Sequence, residues 1–286
     1  MTLPIAITQG DPAGIGPEII AKAFRDVPDV TRGCFVAGDV ATMRRAAQCI
    51  TGPGQVSLPV AEIRTVHEAL AVPSRCIPVL SVLQAPERVP VGMISASAGR
   101  MAADGVTWAA RAALRGDIAA LVTAPLHKEA LAAAGVHFPG HTELLQAEAA
   151  AYLGRPVSEV PVRMMLANDE LRTVLVSIHV SLRDAIDAVT AENVLQTLRL
   201  THQFLQKTAQ ERVGPGGQPR CRIGVAGLNP HAGEGGLFGR EELDTIIPAI
   251  ERARAPRVWM FRGLLPRIRC SCGRVPGQAI PVNLTW

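Results

Sequence analysis

Short apolar runs alternate with amphipathic segments along most of this chain. Residues 4–8, 34–37, 119–122, 162–166, 172–178 and 223–226 are apolar runs of strand length, bounded by turn residues, and read as strands. Between them lie helical patterns over 17–24, from 40, over 97–115, 143–153 and 240–254, and after Thr190. In the helix after Thr190, the positions Val194, Leu195, Leu198, Thr201 and Leu205 keep the spacing of one buried helical face. Start and stop signals agree with this parsing. Pro17 with Glu18 opens a helix, Asp39 caps the next, Gly116 closes the long Ala-rich one, and Ser181 with Asp184 resembles a capping box. Residues 52–94, rich in Pro and Val, read as loops and edge strands, and 207–220 as a polar linker. Strands alternating with helices predict an α/β protein with a largely parallel sheet.

Composition narrows the class. The chain has 286 residues, 48% hydrophobic and 19% charged, enough for one large or two modest globular domains. Its formal charge of +4 is spread out, and no Lys/Arg cluster is interleaved with aromatics, so nucleic acid is not an expected partner. No apolar run approaches the roughly 18 residues of a membrane span. Residues 1–10 show neither a basic n-region nor a cleavage site. Cys34, Cys49, Cys76 and Cys221 stand singly among apolar residues and read as buried thiols of a reducing compartment. Cys270 and Cys272 form C-x-C without a matching pair, which is not a zinc knuckle. The expected setting is the cytoplasm.

The densest chemistry lies at residues 226–239, A-G-L-N-P-H-A-G-E-G-G-L-F-G, between a strand end and a helix start. Such a loop is either a tight turn with a solvated His231, or a metal or substrate loop. His179 likewise follows the end of a strand, and this convergence favours a ligand over either histidine alone. His141 and Thr142 stand at a helix start, where a carboxylate or phosphate is stabilised; Thr142 is expected to be the N-cap of a helix from Glu143. The turn at residues 9–16 follows a strand and opens a helix, but its spacing is not G-x-G-x-x-G, so a Rossmann nucleotide site is not supported. His67, His127, His137 and His202 lack such settings and read as structural or surface residues.

Five motifs, G-D-P-A-G-I-G-P-E (10–18), T-A-P-L-H-K (123–128), P-G-H-T-E (139–143), S-I-H-V-S-L-R-D (177–184) and G-L-N-P-H-A-G-E-G-G (227–236), occur in one order and spacing. Together they resemble the 4-hydroxythreonine-4-phosphate dehydrogenase family of vitamin B6 biosynthesis, over about residues 3–254. The resemblance implies a three-layer α/β/α fold in two domains, like isocitrate and isopropylmalate dehydrogenases, with an active cleft at a homodimer interface. The expected division is 1–125 with part of 215–254, a central 126–214, and a separate 255–286. It implies a divalent metal (zinc, magnesium or cobalt) held by three histidines from both subunits, of which His179 and His231 match two. His141 and Thr142 match residues that contact the phosphorylated substrate. The implied reaction uses NAD or NADP: the metal polarises a secondary hydroxyl, hydride leaves to the cofactor, and the β-keto acid loses CO₂. No residue is assigned to the cofactor, and none to proton transfer. Relatives act on 4-phosphorylated threonate or erythronate, and residues 93–99, M-I-S-A-S-A-G, look closer to that branch. A hydrolase reading lacks a G-x-S-x-G or comparable nucleophile and ranks last.

After Arg254 the resemblance is expected to stop. The family's G-P-x-P-A-D-T segment and its Y-H-D-Q-G, with the third metal histidine, are not found. Residues 255–286 are instead rich in arginine, without an acidic residue or a periodicity, and hold Trp259 and Trp286. Shifted by one base, with synonymous codons chosen freely, residues 258–277 can be reread as V-D-V-S-G-P-x-P-A-D-T-V-F-M-R-A-R-A-G. The expectation is a frameshift near 255–257, a tail outside the native fold, and impaired catalysis. On that ground a non-catalytic remnant that only dimerises or binds ligand stands as the second reading.

Overall fold

The structure, a computed structural model, describes residues 2–83, 89–213, 222–254, 260–265 and 280–283. Contacts divide the chain into two compact units, Met1–Pro161 and Val162–Trp286. This grouping differs from a division at 125 and 214, because the helices of residues 128–153 pack on a helix of the first unit.

In the first unit five parallel strands, β1 (Ile5–Thr8), β2 (Cys34–Gly38), β3 (Val60–Ile63), β4 (Ile77–Ser81) and β5 (Ala120–Thr123), form one sheet in the order β3-β4-β2-β1-β5. Side chains alternate across this sheet and recruit a helical layer on each face. Ile5, Ile7, Val36 and Val79 pack against Ile20, Phe24, Met43 and Ala46 of α1 (Gly16–Asp26) and α2 (Val40–Cys49). Ala6, Phe35, Ala37 and Leu80 face the other way, onto Ala109 and Ala112 of α3 (Ala96–Arg115). The helix ends follow the local signals. Asp39 accepts the Thr42 N–H at 2.7 Å, and Gly116 closes α3 at φ 79°. β4 is an inner strand rather than an edge strand, since Ile77 and Val79 are fully buried.

α4 (Lys128–Ala133) and α5 (His141–Leu153) pack along α3. The approach of α3 to α4 is close enough that Gly99 has no room for a side chain: a Cβ there would collide with the Ala130 carbonyl.

The second unit has a five-stranded sheet of β6 (Met165–Ala167), β7 (Arg172–Leu175), β8 (Arg222–Ala226), β9 (Met260–Leu265) and β10 (Ile280–Asn283), ordered β6-β7-β10-β8-β9. β6 is antiparallel to β7, and the other pairs are parallel. Two segments of the tail expected to lie outside the fold are thus strands here; β10 gives β7 and β8 a backbone partner between them. α6 (Leu182–Asp187) is capped by Ser181, whose Oγ accepts the Asp184 N–H and donates to its carboxylate. α7 (Ala191–Val213) buries Val194, Leu195, Leu198, Thr201 and Leu205, the face read from the sequence, and α8 (Ile247–Arg254) adds Ala249 and Ile250. Before α8 the chain takes a wide π turn, Glu242–Ile246, because Pro248 has no N–H to give an ordinary helical bond.

Cys34 is buried, but Cys49 is exposed and Cys76 half-buried, so these two are not the core thiols expected; Cys221, Cys270 and Cys272 lie outside the described residues. Among the described residues no helix is long and apolar enough to cross a membrane.

Candidate functional site

In the second unit, β7 and β8 point the same way with β10 between them, so their carboxyl ends lie on one edge of the sheet. Two strand spacings separate them, about 10 Å. His179 follows β7 and His231 follows β8. Both have left-handed backbones, φ 57° and 52°. A bulky L-residue reaches that region at a cost of about 1–2 kcal/mol. Strain of this kind persists where the surrounding structure imposes it, and it gathers at functional sites.

The strain around His231 is extended. His231, Ala232, Gly233, Glu234 and Gly235 are left-handed in succession, with φ of 52°, 54°, 79°, 43° and 68°. Three of these residues carry a Cβ, so the turn stores roughly 3–6 kcal/mol. The His231 ring tilts against Phe238, with centroids 5.9 Å apart. Asn229 and Glu242 hold the base of the turn. Oε1 of Glu242 accepts the N–H groups of Leu228 and Asn229, both at 2.7 Å, and Oε2 accepts the Asn229 side-chain amide at 2.9 Å. The glycines of the loop now divide by role. Gly233 supplies positive φ and leaves room for Glu242, whereas Gly227 has no positive φ and matters for close approach to Ala232. Sequence reasoning missed Asn229 and Glu242. Its available signal was an acid at the start of the helix that follows a glycine-rich loop, where free amides need an acceptor.

Around His179 lies a concavity of about 380 Å³, lined by Met164, Leu175, Ser177, Ile178 and Leu182 among others. Its walls are largely apolar, with the Ser177 hydroxyl and the His179 imidazole as polar points. That is the general make-up of a small-molecule site.

His141 and Thr142 belong to the first unit. Helix α5 begins two residues earlier than expected: Gly140 is its N-cap and makes no side-chain cap, so Thr142 sits within the first turn and is not the N-cap. Gly supplies no cap oxygen, and the chain turns into helix at His141 instead. The first-turn N–H groups of a 13-residue helix are thereby left for an anion or for water, with Glu143 as a local competitor beside Gly140. The His141 ring is half-buried. Burial lowers its pKa, and its hydrogen bond to the Ala124 carbonyl pulls weakly the other way. Its Nε2 is buried without a hydrogen-bond partner, a polar atom to which a ligand could bind.

A divalent cation suits the donor types of His179 and His231, two imidazoles on strained backbone at one sheet edge. Among the described residues, however, no three His, Cys, Asp or Glu side chains come together as a metal cage. For a nicotinamide cofactor no residue of the described chain stands out.

Comparison with known proteins adds to this geometry. Residues 31–267 match the family model described as pyridoxal phosphate biosynthetic protein PdxA, which runs past Arg254. The chain is 46% identical over 252 residues to a 4-hydroxythreonine-4-phosphate dehydrogenase of Beijerinckia indica subsp. indica, covering 88% of this chain and 68% of that one. It is 40% identical over 257 residues to a D-threonate 4-phosphate dehydrogenase of Salmonella typhimurium, covering 89% and 72%. The crystal structure of a 4-hydroxythreonine-4-phosphate dehydrogenase from Klebsiella pneumoniae superposes with a TM-score of 0.82 at 33% identity, over 98% of this chain and 81% of that one.

Proposed function

Because the chain belongs to the PdxA family of pyridoxal phosphate biosynthetic proteins and is an oxidoreductase, we propose that it oxidises and decarboxylates 4-hydroxythreonine 4-phosphate with NAD and a divalent metal. The observation that carries this reading is the pair of left-handed histidines, His179 and His231, at one edge of a parallel sheet. In this reading their imidazoles hold the metal. When bound, the cation supplies charge that favours loss of the hydroxyl proton and of CO₂, while NAD accepts the hydride. The amide groups of the first turn of α5 and the Thr142 hydroxyl receive the phosphate, and His141, once protonated, donates to it from Nε2. The reading carries with it a homodimer of isocitrate-dehydrogenase-like subunits and a third metal histidine that the frame as written does not show.

Substrate choice has a second candidate. D-threonate 4-phosphate, named for the Salmonella typhimurium relative, differs in the group next to the reacting hydroxyl. Absorbance at 340 nm, followed with each phosphorylated acid in turn, with and without chelator, decides between them. NADH formation from one substrate, abolished by chelator and restored by Zn²⁺, Co²⁺ or Mg²⁺, is the expected outcome. No NADH from either, with metal and NAD in excess, leaves the non-catalytic remnant.

The frame of the tail belongs to the same reading. A single-base shift near codons 255–257 is expected to restore P-A-D-T and, further on, Y-H-D-Q-G. DNA that confirms the present frame, with no family segment in any other, sinks the frameshift.

A further inference from the structure

The turn that presents His231 is closed over a buried acid. Glu242 is 1% exposed, and its hydrogen bonds all come from amides: the main-chain N–H groups of Leu228 and Asn229 and the Asn229 side chain. Its Oε2 stands 2.8 Å from where a Cβ on Gly233 would lie, and its Oε1 is 3.3 Å from that of Gly227. One carboxylate therefore touches the entry of the loop at 227–229 and the middle of the left-handed run at 233. Asn229 is held in turn by Glu241, whose Oε2 accepts the same amide at 2.6 Å.

We propose that Glu242 is a positioning residue that bonds residues 228 and 229, packs beside Gly233, and so fixes the left-handed backbone in which His231 meets its ligand. His231, Ala232 and Glu234 would each relax to ordinary φ if nothing held the ends of the turn. Three amide donors converge on this one carboxyl group, so both ends of the segment 228–229 share a single anchor. A buried acid with amide partners is otherwise costly, which argues that the turn needs it. The step from loop shape to metal affinity rests on His231 being a metal ligand; the step from Glu242 to loop shape does not.

The test uses the full chain and Glu242→Met, which keeps roughly the length of the side chain but removes both oxygens that accept the amides of Leu228 and Asn229. Two readouts are taken: amide hydrogen exchange across 222–239, and Co²⁺ binding followed by its visible absorption, with His231→Ala alongside. Glu242→Met should speed exchange at 228 and 229 at least about tenfold while β8 stays protected. It should also weaken Co²⁺ by about 10- to 100-fold, as loss of a supporting partner does, and change the cobalt spectrum. If Glu242→Met is insoluble, Asn229→Ala is measured instead and should show the same changes in smaller degree. A soluble variant with unchanged exchange at 228 and 229 overturns the proposal. If the wild type binds no Co²⁺, or His231→Ala binds it equally well, the metal reading fails, and the exchange data still decide the role of Glu242.

Discussion

His179 and His231 share a left-handed backbone, φ 57° and 52°, although they follow different strands of one sheet. Neither position is a natural place for a β-carbon, so keeping an imidazole there costs stability. A glycine would lack the penalty, and an alanine would keep it. His231→Gly is therefore expected to be more stable than His231→Ala by about 1 kcal/mol, and His179→Gly likewise against His179→Ala. All four should lose metal alike. Urea unfolding of the metal-free variants checks the order; an alanine variant as stable as its glycine partner would show that the left-handed geometry is not imposed.

The His141 ring makes a second demand, on pH. Its pKa is lowered in the folded chain, chiefly by burial, so the unfolded state binds the proton more readily. The unfolded chain therefore holds more protons once pH falls below about 6.5, and stability declines there until the folded pKa is also passed. Above that range the group contributes no slope. His202, also lowered by burial, acts in the same direction. Melting temperature is expected to fall between pH 7 and 5, and His141→Asn should flatten part of that fall. Identical slopes for the two proteins would remove His141 from the account.

Much of this was legible from residue patterns, and the reasons are local. The face of α7 at Val194, Leu195, Leu198, Thr201 and Leu205 is set by burial against the sheet, which periodicity reports directly. Asp39 and Gly116 act within one turn of their own positions, so their roles also show in sequence. The start of α5 was misplaced because Gly140 caps without a side chain, leaving Thr142 as the only visible candidate. The left-handed run at His231 was invisible for a different reason. His tolerates positive φ better than most residues, but Ala and Glu do not favour it; in the proposal above the conformation is held by Glu242 of the next element, which accepts the N–H groups of Leu228 and Asn229. Long-range contacts of this kind leave no periodic trace.

Gly99 tests the packing of the first unit. In a helix interior alanine is normally preferred to glycine by up to about 1 kcal/mol. Here a Cβ would collide with the Ala130 carbonyl of α4, a backbone atom that cannot rotate away. Gly99→Ala is expected to destabilise the chain by about 1–3 kcal/mol despite the better propensity. Denaturant midpoints measure it, and a stabilised variant would mean that α4 moves freely on α3.

If Thr142 receives the phosphate as proposed, its substitution separates phosphate binding from chemistry. Its hydroxyl lies in the first turn of α5, where amide groups and helix dipole already favour an anion, so losing it should weaken binding without disturbing the reacting carbon. A hydrogen bond to a charged group is worth about 1.5–3 kcal/mol. Thr142→Val is accordingly expected to raise KM for the phosphorylated substrate roughly 10- to 100-fold with kcat nearly unchanged. Thr142→Ser, which keeps the hydroxyl, should stay near wild type. The comparison also reports on the site itself. A fall in kcat at constant KM would place Thr142 beside the reacting hydroxyl, and equal kinetics for all three proteins would move the phosphate away from the start of α5.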